Sequence, residues 1–172
     1  GPGTEFYSLR EYVPGDPFKN INWKAFARTG DLMINEKCRD AVTDLYIILD
    51  SRDIARIGTV LKNPLEMGTV AAASLASFFL KRRDSVSLTI YDERLSFLPP
   101  DTGDKQYFKI LSSLAGVAPK GTMPLQAVTN SLAARFSRGS PVFIISSCEG
   151  DGTVPSAVRD LVGRGHEVTV LS

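Results

Sequence analysis

The sequence predicts an α/β fold: a mostly parallel central sheet with helices on both faces, preceded by an N-terminal arm. Three observations carry this. Leu45-Tyr46-Ile47-Ile48-Leu49 and Val142-Phe143-Ile144-Ile145 are short, continuous apolar runs rich in β-formers, as expected of strands covered on both faces. Segments of helical spacing, about 10–15 residues long, alternate with such runs, which is the signature of parallel strands joined by helices. The chain is 172 residues long and 43% hydrophobic, and at that size roughly 68–70% of the unfolded surface is buried, so a core forms without disulfide or metal.

Taken in order, residues 1–40 are polar and aromatic and read as an arm packed on a core of residues 41–172. In the arm, Asp16-Pro17 has the form of a helix start, with Asp as N-cap and Pro at the first helical position. Ile21, Trp23, Phe26 and Ala27 then share one side of a short helix that Gly30 ends, with Trp23 as packing anchor, and Leu32–Glu36 is extended. After the first core strand, Asn63-Pro64-Leu65-Glu66 opens a helix by cap, proline and capping-box glutamate, and Lys81-Arg82-Arg83 closes it. The basic triplet suits the negative end of the helix dipole. Val86–Tyr91 alternates as a strand, and Asp92-Glu93-Arg94 turns it into a second, Leu95–Leu98, which Pro99-Pro100 stops. Tyr107, Phe108, Leu111 and Leu114 mark a helix, as do Leu125, Val128, Leu132 and Phe136, and later Val158, Leu161 and Val162. Val168–Leu171 is the last strand. The chain stops one residue beyond it, at Ser172, so it is expected to be a piece of a longer protein, truncated at its C-terminal end. The missing parts could include a membrane anchor.

Composition narrows the function. Twenty Lys and Arg against nineteen Asp and Glu leave a net charge of +1, which removes the general electrostatic case for nucleic acid. The longest uncharged run, Met67–Leu80, has 14 residues and is too short to span a bilayer. Cys38 and Cys148 form neither a disulfide framework nor a zinc motif and read as small buried hydrophobes of a reducing compartment. His166, the lone histidine, has no GxSxG serine to serve, and neither GxGxxG nor GxxxxGK[ST] occurs in the required context. The chemistry-bearing residues collect at strand carboxyl ends, where open α/β sheets bind ligands. These are Asp50-Ser51-Arg52-Asp53, Asp92-Glu93 and Ser146-Ser147-Cys148-Glu149-Gly150-Asp151, with Lys120-Gly121-Thr122 ahead of a helix. Oxygen donors from several loops can hold a hard cation, or they can simply cap helices and face water.

The arm is the most distinctive stretch. Arg10, Tyr12, Gly15, Asp16, Ile21, Trp23, Ala27 and Arg28 fill the pattern R-x-Y, G-D, I-x-W-x-x-x-A-R, with Lys19 and Asn22 at positions where a basic residue and Asp are common. This resembles a large prokaryotic family of unknown function related to von Willebrand factor A domains and associated with MoxR-type AAA+ ATPases. The strand and helix order downstream fits the same fold, so the resemblance covers essentially the whole chain.

The resemblance implies a von Willebrand A-like, Rossmann-like core. It also implies an adaptor or assembly role beside a MoxR-type ATPase or co-encoded proteins, in the cytoplasm, as the soluble part of a membrane-anchored protein. Von Willebrand A domains hold Mg²⁺ with a D-x-S-x-S loop, a later Thr and a second Asp. Asp50 and Thr122 match that set, whereas Arg52 and Ile54 replace the serines and Ser147 falls at the second Asp. A degenerate cation site with no tightly bound metal and no cofactor is expected, with Arg52 neutralising Asp50 through paired hydrogen bonds. The alternative arrangement sends Arg52 to solvent and brings in Asp53 or Asp151. The rival function is a metal-dependent hydrolase using Asp50, Asp92 and Asp151.

Overall fold

A computed structural model describes residues 6–38, 43–52, 64–118 and 120–172. They fall into two compact units, Gly1–Ala41 and Val42–Ser172.

In the first unit, β1 (Phe6–Glu11) pairs antiparallel with β2 (Met33–Cys38). Sequence periodicity misses β1, because its partner is remote along the chain and its polar alternation resembles a loop. The turn after it is built by the pattern residues. Arg10 clamps Asp16 through Nη1 and Nη2, each at 2.8 Å, and Asp16 also accepts the Val13 N–H at 2.8 Å. Between them Pro14-Gly15 makes the turn, with Gly15 at φ +104° and Asp16 N–H donating to Val13 O at 3.0 Å. A positive φ at this position is where glycine avoids the Cβ clash. Asp16 is therefore no helix cap: α1 (Trp23–Thr29) starts later, and Asn22 caps it by accepting the Ala25 N–H. Gly30 ends α1 in the left-handed conformation.

Trp23 is not a buried anchor. It is 61% exposed and touches Phe26 edge-on at 6.0 Å. A seven-residue helix hides one narrow face, and here Ala25 occupies it while Ile21 bridges to Ile34. Tyr12 stacks on Phe18 at 6.0 Å, and Arg10 adds a second acid, Glu36, at 3.3 Å. Lys24 and Arg28 form no ion pair among the described residues.

The second unit is a five-stranded sheet in the order β5-β4-β3-β6-β7, formed by β3 (Asp44–Asp50), β4 (Ser85–Tyr91), β5 (Leu95–Asp101), β6 (Val142–Ile145) and β7 (Val168–Leu171). All neighbours are parallel except β5, which runs antiparallel to β4. Alternation along β3 divides the core. Leu45, Ile47 and Leu49 face α2 (Pro64–Lys81) and α3 (Gly103–Ala115), packing on Ala72, Ala76, Ile110 and Leu114. Tyr46 and Ile48 face α4 (Leu125–Leu132) and α5 (Val154–Gly163), packing on Leu125, Val128, Ala157 and Leu161. The result is a three-layer α/β/α sandwich.

One detail departs from the sequence reading. Pro99-Pro100 does not stop β5, which runs through it as an edge strand, with a register irregularity on β4 between Val86 and Leu88. An edge position tolerates residues that cannot donate to a ladder, and Gln106 Nε2 reaches across to Val86 O and Pro99 O at 2.7 and 2.9 Å. Phe108 and Val162 lie on helices as expected but are 64% and 55% exposed. The proposed cap Asn63 lies outside the described residues, as does the side chain of Cys38.

Candidate functional site

The strand order reverses direction about β3, so the carboxyl ends of β3 and β6 diverge into a crevice, the usual ligand position of open α/β sheets. Asp50 ends β3 at this point, level with Tyr91 at the end of β4. Three loops converge there: residues 51–52 after β3, residues 120–124 ahead of α4, and residues 146–153 between β6 and α5.

Arg52 joins all three. Its side chain is only 2% exposed. Nε donates to Asp50 Oδ1 at 2.7 Å and Nη2 to Asp50 Oδ2 at 2.5 Å, a two-pronged pairing. Nη1 donates to Asp151 Oδ2 at 2.7 Å and to Met123 O at 3.2 Å. The guanidinium carbon sits 5.0 Å from the centre of the Tyr91 ring, so the cation also faces an aromatic surface. Asp50 is further tied down by the Arg52 N–H and by Ser146 Oγ, which donates to Oδ2 at 2.7 Å. Asp151 accepts the Leu125 N–H at the start of α4, and both the N–H and the hydroxyl of Thr153.

The charges respond to this setting. Burial works against the charged form of Arg52, yet hydrogen bonding and charge attraction from Asp50 and Asp151 hold its pKa above the ordinary arginine value. Burial likewise opposes ionisation of Asp151, but its bonds from Thr153, Leu125 and Arg52 prevail and place it at about 2. Tyr91 moves upward, first through burial and then through the nearby Asp50 charge. Two carboxylates around one guanidinium leave the cluster one negative charge in excess, with four N–H bonds already directed from the Arg52 guanidinium and a fifth from its backbone.

The predicted site residues are therefore placed unevenly. Asp50 and Arg52 are together at its centre. Thr122 is exposed on the 120–124 loop, beside Met123, whose carbonyl takes the Arg52 contact. Ser147 does not bond Asp50; its Oγ is buried without a hydrogen-bond partner among the described residues, and the neighbouring Ser146 makes the contact instead. Asp53 and Ile54 lie outside the described residues. Asp92 stands apart, its Oδ1 accepting the Arg94 N–H in the β4–β5 turn. No three His, Cys, Asp or Glu side chains converge as a metal-ligand group among the described residues. His166 is buried against Phe136, with Nδ1 2.8 Å from Ser140 O, a packing role. Cys148 is half-buried with φ +60°, its N–H donating to Ser146 Oγ. Gly121, at φ +80°, holds the 120–124 loop against the β4–β5 turn so closely that a Cβ there would fall 2.2 Å from Glu93 N. Sequence reasoning weighed Asp151 as a substitute ligand and as a hydrolase residue, placed Ser146 among the strand-end residues without pairing it to Asp50, and did not single out Tyr91.

Beside Asp50 opens a cleft of about 360 Å³, lined mainly by Leu49, Met67, Ala71, Ile145 and Leu171, with Ser147 and Glu149 on its polar side. Most of its wall is apolar.

The family model described as protein of unknown function DUF58 matches residues 8–171. The uncharacterized proteins Mb1516 of Mycobacterium bovis and Rv1480 of Mycobacterium tuberculosis are each 23% identical over 175 residues, covering 99% of this chain and 55% of theirs. The chain thus spans about half the length of the curated relatives it matches. Among solved structures, an aerotolerance-related membrane protein from Bacteroides fragilis aligns with a TM-score of 0.61 at 22% identity, over 74% of this chain and 66% of that one. The conserved hypothetical protein BatB from Bacteroides thetaiotaomicron gives 0.60 at 19%, over 74% and 65%. The SpRpn10 VWA domain gives 0.53 at 12%, over 76% and 74%. These likenesses show the fold, which is von Willebrand factor A-like.

Proposed function

The chain belongs to the DUF58 family of proteins of unknown function, and on that premise we propose that it is a non-enzymatic protein-interaction domain, an adaptor or assembly factor for a MoxR-type AAA+ ATPase. One observation carries the reading. The crevice where an open α/β sheet would do chemistry is filled by the Arg52 side chain, itself bonded to two carboxylates and a carbonyl. What stays open next to it is the largely apolar cleft beside Asp50, a surface suited to anchoring a partner's side chain rather than to moving protons. The rival hydrolase needs Asp50, Asp92 and Asp151 around one ion, but Arg52 separates the first and third and Asp92 caps a turn. No helix among the described residues is long and apolar enough to cross a membrane. We place the domain in the cytoplasm, carried by a membrane-anchored protein.

The test is direct binding between the full-length protein and the MoxR-type ATPase of its own organism, measured by biolayer interferometry. Micromolar or tighter affinity, weakened at least tenfold by Met67→Asp at the cleft rim, is expected. Absence of binding, or binding indifferent to that change, refutes the proposal.

A further inference from the structure

The α2 helix has no charged residue from Met67 to Leu80, although one of its faces is open to solvent. Met67, Val70, Ser74 and Phe78 form a single outward row at spacings of three and four, and the three large members are 58%, 65% and 55% exposed. A helix that is apolar on its inner and outer faces is ordinarily covered on both. At the carboxyl end the row runs into Lys81, Arg82 and Arg83, all exposed and without an ion pair among the described residues, with Asp84 the one acid beside them. Apolar row and basic end are continuous: the Arg82 guanidinium lies 5.5 Å from the centre of the Phe78 ring.

We infer that this row is a docking surface for an amphipathic helix of a partner protein, one that carries acidic residues at the end meeting Lys81–Arg83. Charge complementarity selects the occupant. A lipid surface would favour cations flanking the apolar row along its length, whereas here they sit at one end only. That pattern fixes the direction of an incoming helix, whose acidic end meets the basic one. Ser74 within the row and the small residues Ala71 and Ser77 bordering it leave grooves into which the ridges of a second helix fit. This inference rests on the interaction reading above and names the surface and the partner's chemistry.

The experiment places a photo-crosslinking residue at Phe78 in the full-length protein in its own cells and sequences the attached peptide. A peptide from another protein with apolar residues at helical spacing and Asp or Glu at one end is expected, its yield falling at least fivefold with K81E/R82E. Crosslinks to lipid, to a second copy or to the same chain overturn the inference, as does a yield insensitive to charge reversal. Binding to the ATPase that is lost with Met67→Asp but unchanged in V70E/F78E also overturns it while leaving the interaction reading intact.

Discussion

Replacing Arg52 with Met removes the one cation between two buried carboxylates while keeping much of the side-chain volume. Breaking a buried ion pair by deleting one partner typically costs about 3–5 kcal/mol, because the remaining charge stays desolvated. Here two carboxylates are stranded, with side chains of Asp50 and Asp151 only 1% and 3% exposed, and Met123 O loses its donor. About 4 kcal/mol corresponds to a fall in Tm of roughly 8–16 °C for a chain of this size. Thermal melts followed by circular dichroism read this out. The triple variant D50N/R52M/D151N should recover much of the loss, since a neutral cluster carries no stranded charge, and this non-additivity separates electrostatics from lost packing. A Tm for R52M within 2 °C of the parent protein would refute the clamp. The same logic reaches the cation question. Mg²⁺ needs oxygen ligands that a guanidinium is not already using, so the parent should show no heat with Mg²⁺ or Mn²⁺ in a calorimetric titration. Arg52→Ser should instead gain stability from the ion, rising with the logarithm of its concentration once that exceeds Kd. Micromolar binding to the parent that vanishes in Asp50→Ala would show that the crevice holds metal after all.

Two further outcomes are expected. Asp151 titrates near 2 when folded against an ordinary 3.8, so the unfolded chain takes up the proton first. The stabilisation, about 2 kcal/mol, is complete above about pH 5 and disappears as pH falls through about 2; denaturant titrations should show a smaller acid-induced loss over that window in Asp151→Asn. Trp23→Ala should change stability by less than about 1 kcal/mol, as exposed positions do, and a drop in Tm above 5 °C would mean the indole is buried in solution.

The central strands were readable because their chemistry is local. β3 and β6 are continuous apolar runs, and the α4 row of Leu125, Val128 and Leu132 follows one helical face. Errors arose where a remote residue competed for a local signal. Asp16 ahead of Pro17 has the form of a cap, but Arg10 claims its carboxylate. Pro99-Pro100 has the form of a stop, but an edge strand can absorb it. The site divides in the same way. Asp50 and Arg52 are two residues apart, so their pairing is conceivable from spacing, whereas Asp151 arrives from 99 residues along the chain. The choice of Ser146 over Ser147 depends on where β6 stops, and neighbouring serines give no hint of which one turns towards Asp50.

The two margins of the five-stranded sheet differ in kind. On one side β5 presents Pro99 and Pro100, which have no N–H to offer an incoming strand. On the other, β7 has four residues, and its ladder partners on β6 take up Glu167 O and Leu171 O, leaving the amide groups of Val168 and Val170 directed outward. A strand joining at β5 would go without the donors that Pro99 and Pro100 lack, so β7 is the more receptive of the two margins. Two copies meeting edge to edge through β7 would each turn the proline-bearing margin outward, the poorer template for a third.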